Sequence, residues 1–344
     1  MEFPKLVLDK QKCKTNIKRF VSKAKKKGLI FRPHFKTHQS AQIGEWFRQN
    51  GVNSITVSSI AMAEYFAAAG WNDITIAFPL NVLQISQYNK LAENINLNLL
   101  ISTTQILPKL SQLSDKIGYF IELDNGSNRS GLEIDLALKL AAILPSDRVR
   151  GFLLHAGNTY KAKNSTEILK IHQQQLEIAQ KCKQNFPEKI FSIGDTPSFS
   201  LAETFSNIDE ARPGNFVFFD VMQRNLGSCQ WEDIALAVYC PVVAMYDKRQ
   251  EIVIHGGAVH LSKENEKGCF GRVAIPGKTG WGEPLPDTYV TSLSQEHGII
   301  KTRGDVLEMI ELGSILAILP IHSCLTANLF TEYNTLENNI IEKL

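Results

Sequence analysis

The stretch Gly28-Leu29-Ile30-Phe31-Arg32-Pro33-His34-Phe35-Lys36-Thr37-His38 joins a short apolar run to a lysine that is flanked by two histidines. If the apolar run is a buried strand, Lys36 lies at its end, where removal from water disfavours the ammonium form. A lysine whose pKa is lowered in this way is a nucleophilic amine that reacts with carbonyl carbons. The stretch therefore predicts a strand with a reactive lysine after it; the alternative is a surface lysine in a loop.

Similar β-rich runs recur along the first two thirds of the chain, separated by helical stretches. The predicted strands are residues 29–32, 54–58, 73–78, 97–102, 118–123, 149–155, 189–193 and 214–219. Strands that alternate with helices indicate a parallel sheet, and eight such units over about 210 residues match a (β/α)8 barrel of the TIM type. A doubly wound sheet is the competing interpretation, but no Gly-x-Gly-x-x-Gly motif follows the first strand.

The sequence becomes β-rich and turn-rich after residue 225. Further strands are predicted at 234–246, 251–255, 289–294 and 314–321, with a helix only at 325–330. Asp9 has the character of a helix N-cap, which makes the preceding residues 5–8 a separate strand. We therefore predict a cofactor-binding barrel over residues 9–225 and a mostly β domain formed by residues 1–8 and 226–344.

Composition excludes several classes of protein. The net charge of +2 on 344 residues argues against a nucleic-acid partner. No segment is long and apolar enough to span a bilayer, and the first residues lack the apolar core of a signal peptide. The six cysteines show no Cys-x-x-Cys pairing and are expected to be reduced thiols. These features predict a cytoplasmic protein with neither a nucleic-acid nor a membrane partner.

Polar motifs follow the predicted strands repeatedly. Asp-Asn-Gly-Ser-Asn-Arg-Ser-Gly at 124–131 follows the fifth strand, and His-Ala-Gly-Asn-Thr-Tyr at 155–160 ends the sixth. Gly-Asp-Thr-Pro-Ser at 194–198 ends the seventh, and Arg-Pro-Gly-Asn at 212–215 accompanies the eighth. Active residues of this fold lie at the carboxyl ends of the strands. The four motifs and Lys36 are therefore expected to meet at one mouth of the barrel.

The loop at 194–198 has the composition of an anion site. Its backbone N–H groups lie between a strand and a helix, where the helix terminus favours negative charge. Phosphate often binds at the seventh and eighth loops of such barrels, and Gly214 and Asn215 would complete the cup. The alternative is an ordinary capped loop.

The stretch His322-Ser323-Cys324 places two metal-ligating residues one position apart. In an extended chain, both side chains would point to the same face. Imidazole and thiolate suit zinc, and two protein ligands would leave coordination positions for water and substrate. The alternative is a buried histidine and cysteine without a metal.

Taken together, these motifs resemble the fold-type III pyridoxal phosphate enzymes of the alanine racemase superfamily. The closer likeness is to the D-threonine aldolase and D-serine dehydratase family. The Arg-Pro-His-x-Lys-Thr-His stretch at 32–38 is the most specific part, and the resemblance extends from Lys5 to Cys324. It implies a barrel followed by a β domain, a homodimer, bound pyridoxal 5'-phosphate and a D-amino acid substrate.

The resemblance also implies roles for individual residues. Lys36 would bond the cofactor covalently and abstract the substrate's α-proton. Arg129 would lie near the phenolic oxygen of the cofactor, and Arg212 would face the pyridine nitrogen, which a guanidinium cannot protonate. The cofactor-binding residues carried over in this way are Lys36, Arg129, His155, Tyr160, Gly194, Asp195, Thr196, Arg212, Gly214 and Asn215.

His322 and Cys324 match the metal pair of the family. Aspartate is typical of the second position in the aldolases, whereas cysteine resembles the dehydratases of 3-hydroxy-D-amino acids. A metal, expected to be zinc, would polarise the substrate's 3-hydroxyl group, and elimination would give a keto acid and ammonia. The alternatives are a retro-aldol lyase, a racemase, for which no second base is identifiable, and a non-catalytic pyridoxal phosphate-binding protein.

Two segments depart from the pattern of the family. Asp195 places a carboxylate where a phosphate dianion would bind, so its side chain is expected to turn away and its backbone N–H to make the contact. The stretch His255-Gly256-Gly257-Ala258-Val259-His260 stands where acidic or small residues are common. Either histidine would change specificity if it entered the substrate site; the alternative is two hydrogen-bonded histidines at a strand end.

Overall fold

The structure of the chain is a computed structural model that describes residues 3–344. Met1 and Glu2, which the sequence assigns to the β domain, lie outside the described residues. The chain forms two compact units. One contains Lys18–Gly214 with Leu344, and the other contains the described residues up to Ile17 together with Asn215–Lys343.

The described chain begins with strand β1 (Lys5–Leu8) and helix α1 (Lys10–Lys26). As predicted, Asp9 caps α1: its carboxylate accepts a hydrogen bond from the Lys12 N–H at 3.0 Å. The next strands are β2 (Ile30–Phe31), β3 (Ile55–Val57), β4 (Asp73–Pro79), β5 (Asn96–Ile101), β6 (Gly118–Leu123), β7 (Val149–Leu154), β8 (Ile190–Ile193) and β9 (Glu210–Ala211). The helices among them are α2 (Ala41–Arg48), α3 (Ile60–Ala68), α4 (Ile85–Leu91), α5 (Ile134–Ile143), α6 (Ser165–Asn185) and α7 (Thr196–Leu201).

Strands β2–β9 form one parallel sheet that closes on itself. Its order is β2-β9-β8-β7-β6-β5-β4-β3, and the two edges are joined just beyond β2. There the Phe35 N–H donates to the Thr56 carbonyl at 2.8 Å, and the Thr56 N–H donates to the Pro33 carbonyl at 2.9 Å. These bonds complete a (β/α)8 barrel and confirm the fold predicted from the sequence.

The barrel strands are buried on both faces, as expected of a parallel sheet covered by helices. Every residue of β6 is buried. Leu100, Phe120 and Leu153 form a cluster inside the barrel, each no more than 1% exposed. Full burial of one such side chain stabilises the fold by about 2 kcal/mol. The continuous apolar runs that predicted these strands are therefore the core of the barrel.

The predicted position of the eighth strand is wrong. Residues Asn215–Val217 form a short 3-10 helix, and the strand is β9, earlier in the chain. Strand β9 was not predicted because it begins with Glu210, and glutamate side chains are normally exposed to water. Here the buried Glu210 carboxylate accepts hydrogen bonds from Arg32 Nε at 2.7 Å and from the Ser192 hydroxyl at 2.6 Å. These partners make a charge in the barrel wall tolerable.

The second unit is built on an antiparallel sheet. Its further strands are β10 (Leu236–Tyr246), β11 (Glu251–His255), β12 (Gly271–Ala274), β13 (Pro276–Gly277), β14 (Gly280–Trp281), β15 (Tyr289–Leu293), β16 (His297–Lys301), β17 (Ile315–Pro320), β18 (Glu332–Thr335) and β19 (Ile340–Glu342). Its short helices are α8 (Val221–Asn225), α9 (Ala258–Leu261), α10 (Gly304–Leu307) and α11 (Ser323–Ala327). The helix predicted at 325–330 thus begins two residues earlier than expected and ends at Ala327.

The large sheet has the order β11-β16-β15-β12-β17-β10-β1-β18-β19, and a further pairing of β10 with β11 closes six of these strands into a ring. Strand β1 pairs with β10 and β18. The N-terminal strand therefore joins the β unit, as predicted. Within residues 3–344, no helix has the length and apolar character that a membrane crossing requires.

Candidate active site

Lys36 lies in a tight turn over residues 35–38, a few residues after β2. The turn is closed by a hydrogen bond from the Gln39 N–H to the Phe35 carbonyl at 2.9 Å. The buried Phe35 ring anchors it, with ring centroids 5.0 Å from Phe47 and 5.1 Å from Trp71. The Lys36 side chain is exposed, so the expected burial of this residue is wrong. Its place in the turn beyond the strand, and not within the barrel wall, leaves the amine accessible.

Lys36 borders a cavity of about 450 Å³ at the carboxyl ends of the barrel strands. The cavity brings together Lys36, Arg129, His155 and Arg212 of the predicted site residues. Its other lining residues are His34, Ser58, Ala77, Phe78, Pro79, Leu100, Glu122, Ser130 and Leu153. The other six predicted cofactor-binding residues are not among the lining residues: Tyr160, Gly194, Asp195, Thr196, Gly214 and Asn215.

The two histidines of the cavity are held neutral. Burial, together with the charges of Lys36, Arg129 and Arg212, lowers the pKa of His155 to about 3. Burial and the same cations keep the pKa of His34 well below its usual value. Both imidazoles are therefore uncharged at neutral pH, and the positive charge of the cavity comes from the lysine and the two arginines. Such a cavity favours an anionic ligand.

Arg212 is fixed in place by hydrogen bonds from its guanidinium. Its Nε donates to the Ser192 hydroxyl at 2.7 Å, and Nη2 donates to the Leu154 carbonyl at 3.1 Å. Burial lowers the pKa of Arg212 to about 10, against the opposing charges of Glu210 and Glu122, so the guanidinium remains protonated at neutral pH. A Cβ at Gly194 would lie 2.8 Å from Nη1, which explains why glycine is needed there.

The loop between β8 and α7 carries the predicted phosphate contacts. The buried Asp195 carboxylate caps α7 by accepting from the Ser198 N–H at 2.6 Å, and it also accepts from the Thr159 hydroxyl at 3.2 Å. It is thus directed into the helix end. Burial raises the pKa of Asp195, although the hydrogen bonds from Ser198 and Thr159 act in the opposite direction and lower it.

The buried Thr196 hydroxyl has no hydrogen-bond partner in the described chain, while the Thr196 N–H donates to the Tyr160 hydroxyl at 3.3 Å. An unsatisfied buried hydroxyl costs about 1–3 kcal/mol. A phosphate oxygen would satisfy it, so the residues at this loop fit the phosphate of pyridoxal phosphate. Gly214 has a similar spatial requirement, since a Cβ there would lie 2.9 Å from the His34 carbonyl oxygen.

Sequence reasoning missed Glu122, a buried carboxylate in the cavity wall. It accepts hydrogen bonds from the Ser102 hydroxyl at 2.5 Å and the Ser130 hydroxyl at 2.9 Å. The guanidinium of Arg129 lies 4.0 Å away, so the carboxylate helps to orient this arginine toward the cavity. The signal in the sequence is that Glu122 is the one charged residue in the apolar run 118–123. The run as a whole predicts a buried strand, and that pattern alone does not assign a function to the acid.

His322 and Cys324 lie in the β unit at the start of α11. The extended arrangement predicted for them is wrong, because β17 ends at Pro320 and Cys324 already belongs to the helix. Their side chains nevertheless share a hydrogen bond. Burial lowers the pKa of His322, but this bond and the charges of Cys324, Asp220 and Glu264 raise it to about 9.

A hydrogen-bonded network supports the His322–Cys324 pair. The Asp220 carboxylate accepts from the Ser323 N–H at 2.9 Å and from Asn215 Nδ2 at 2.6 Å. The same Nδ2 lies 3.6 Å from Cys324 Sγ. Asn215, predicted to contact phosphate, is therefore placed beside the sulfur. An imidazole and a thiolate supported in this way are a donor pair that fits zinc.

The neutral state of His155 predicts a specific pH dependence of stability. The pKa is about 3 in the folded chain and about 6.5 in the unfolded chain. Between these values only the unfolded chain binds the proton, so the stabilisation present above pH 6.5 is lost as the pH falls. Between about pH 8 and pH 5, the free energy of unfolding should fall by about 2 kcal/mol more in the wild type than in His155→Asn.

Urea denaturation of both proteins at the two pH values measures this difference. At about pH 8 the imidazole is neutral in both states, so any gap there reports the lost packing and the lost hydrogen bond between His155 Nδ1 and the Gly194 carbonyl, and it serves as the internal control. Parallel pH profiles for the two proteins would contradict the assignment.

A (β/α)8 barrel with a lysine-bearing, cation-lined cavity, in a chain that also carries an antiparallel β unit, defines an enzyme of the alanine racemase-like fold. The chain belongs to the family described as "Alanine racemase, N-terminal domain", whose model matches residues 8–221. The model described as "Putative serine dehydratase domain" matches residues 235–336. The chain is therefore an enzyme of the pyridoxal phosphate-dependent lyases, and the resemblance drawn from the sequence is confirmed.

Named relatives align with nearly the whole chain. The D-threo-3-hydroxyaspartate dehydratase of Delftia sp. (strain HT23) is 28% identical, over 98% of this chain and 94% of its own length. The D-serine dehydratase of Dictyostelium discoideum is 26% identical, over 97% and 93% respectively. Among solved structures, an alanine racemase-like protein from Idiomarina loihiensis superposes with a TM-score of 0.90 at 26% identity and covers 100% of this chain and 97% of its own.

Proposed function

We propose that this protein is a metal-assisted, pyridoxal phosphate-dependent dehydratase of a 3-hydroxy-D-amino acid such as D-serine. It would release a keto acid and ammonia. The observation that carries the proposal is the His322–Cys324 pair, whose side chains share a hydrogen bond. An imidazole–thiolate pair is suited to zinc, and zinc is suited to polarising a hydroxyl leaving group. The relatives named as dehydratases support elimination over the retro-aldol reaction.

The cofactor would be held by residues of the barrel. Lys36 would carry it covalently, the loops containing Thr196 and Gly214 would bind its phosphate, and Arg129 and Tyr160 would line its ring. When bound, pyridoxal phosphate supplies an electron sink for charge that develops at the substrate's α-carbon. A divalent ion at the metal pair would supply Lewis-acid polarisation of the 3-hydroxyl group.

The residues of the chain itself would move and hold protons. The Lys36 amine would take the α-proton, because its exposed position in the turn leaves it accessible to substrate. Arg212 stays protonated, and its hydrogen bonds to Ser192 and the Leu154 carbonyl fix its position. It would therefore supply a fixed positive charge and would not act as a proton donor. His155, neutral near pH 7, could donate or accept a hydrogen bond without adding charge to the site.

We further propose that the enzyme acts in the cytoplasm as a homodimer. The barrel over residues 9–225 would hold the cofactor, and residues 1–8 with 226–344 would form the metal-bearing domain.

A panel of D-amino acids tests the proposal. With added pyridoxal phosphate and zinc, D-serine or a 3-hydroxylated analogue should give keto acid and ammonia in equal amounts, while the L-enantiomers should give none. D-alanine is the control, because it has the α-proton but no leaving group. Formation of glycine and acetaldehyde from D-threonine would refute the dehydratase assignment. Conversion of a D-amino acid to its L-enantiomer, or the absence of product from every member of the panel, would also refute it.

A further inference from the structure

A second group of metal-ligating side chains lies in the β unit and shares no residue with the site assigned above. His255 ends β11, His260 lies in α9, and Glu296 lies in the turn between β15 and β16. The Nε2 atoms of His255 and His260 lie 3.5 and 3.9 Å from Glu296 Oε2. One potential ligand atom from each residue lies within 4.8 Å of the other two.

Two glycines bring these three side chains together. The Gly256 N–H donates to the Glu296 carbonyl at 2.9 Å, which ties the β15–β16 turn to the segment between the histidines. A Cβ at Gly257 would lie 2.2 Å from the Gln295 carbonyl oxygen, so a larger residue would push the turn away. The glycine pair therefore holds the backbone of Glu296 close to the segment that carries the two histidines.

The spacing fits a metal ion better than a hydrogen-bonded cluster. Both His–Glu separations exceed the range of about 2.7–3.2 Å for an N–H···O bond. Ligands about 2.1 Å from a tetrahedral zinc ion lie about 3.4 Å from one another, so only a small inward movement is required. The two rings are nearly perpendicular, at 89° with centroids 5.5 Å apart, which allows both to direct nitrogen atoms at the carboxylate.

The chemistry and exposure of the three side chains also suit a divalent transition metal. Two imidazoles and one carboxylate are a ligand set of such ions and leave coordination positions open. The side chains of His255, His260 and Glu296 are 42%, 17% and 47% exposed, so an ion can enter from solvent.

We propose that His255, His260 and Glu296 form a binding site for a zinc-class divalent cation, with at least one coordination position open to water or a small anion. The site shares no ligand with the His322–Cys324 pair. It therefore does not depend on the proposed dehydratase activity.

Zinc counting on the full-length holoenzyme tests this site. After equilibrium dialysis against zinc, Glu296→Gln and His260→Ala should each hold one ion per chain fewer than the wild type, or bind that ion at least about 10-fold more weakly. His297→Ala is the matched control, because it removes the exposed histidine next to Glu296 in sequence and should keep the wild-type count. A wild-type count in both Glu296→Gln and His260→Ala would overturn the proposal.

X-ray absorption spectroscopy identifies the ligands. In a His322→Ala/Cys324→Ala variant, the remaining zinc should show nitrogen and oxygen neighbours at about 2.0–2.2 Å and no sulfur. No bound zinc in this variant would also overturn the proposal, whereas a failure of the proposed function would leave this result unchanged. Since Glu296→Gln preserves the size of an exposed side chain, it remains decisive if the His260→Ala chain does not fold.

Discussion

Replacing Lys36 with alanine should reduce turnover of the preferred D-amino acid by about 10⁴-fold, because the variant loses both the covalent attachment point of the cofactor and the base for the α-proton. The exposed turn position of Lys36 presents the amine at the mouth of the cation-lined cavity. No second lysine lines this cavity in the described chain, so no neighbouring amine can substitute. Steady-state production of keto acid measures the loss.

The covalent role of Lys36 has its own readout. Borohydride reduction of the wild-type holoenzyme should fix the cofactor to the peptide that contains Lys36, and mass spectrometry of the digest should find it there. In Lys36→Ala the same treatment should label no peptide. Lys161→Ala is the matched control, because Lys161 is also an exposed lysine that follows a barrel strand, at the end of the short 3-10 helix after β7, and its loss should change neither result. Labelling of a different lysine in the wild type would refute the assignment.

The barrel was predictable because burial dictates its sequence. Strand β6 coincides with the predicted run 118–123, since a strand covered on both faces must be apolar throughout. Strand β9 was missed by the same reasoning because Glu210 is stabilised inside the wall by hydrogen bonds from Arg32 and Ser192. Those partners come from β8 and the end of β2, which are distant in sequence, and no local pattern of residues reveals them.

The candidate site was predictable where topology alone brings residues together. Lys36, Arg129, His155 and Arg212 follow different strands, and the carboxyl ends of parallel strands share one mouth. The exposure of Lys36 was not predictable, because it depends on a tight turn and not on the strand before it.

Other features of the two units depend on tertiary packing that sequence spacing does not encode. The contact of Asn215 with Cys324 requires the α11 segment to return to residue 215. The approach of Glu296 to His255 depends on the turn between β15 and β16, which can lie close to residues 256 and 257 because both are glycine.

Replacing Cys324 with alanine should lower turnover by about 10³-fold, because Lewis-acid polarisation of the leaving group contributes several kcal/mol to the barrier. The cofactor should remain bound, since Lys36 and the phosphate loop are unchanged. Metal content and cofactor content, measured on the same sample, separate these two effects. The matched control is Cys269→Ala, which removes another half-buried cysteine of the β unit.

Cys324→Asp distinguishes a ligand role from a packing role. A carboxylate is also a zinc ligand, so this variant should retain a metal at His322 that Cys324→Ala has lost, and should recover part of its turnover. If Cys324 acted only by packing, aspartate would be the worse replacement, because it would place a second negative charge near the Asp220 carboxylate, which shares the Asn215 amide with residue 324. Lower metal content and activity in Cys324→Asp than in Cys324→Ala would therefore show that this residue is not a metal ligand.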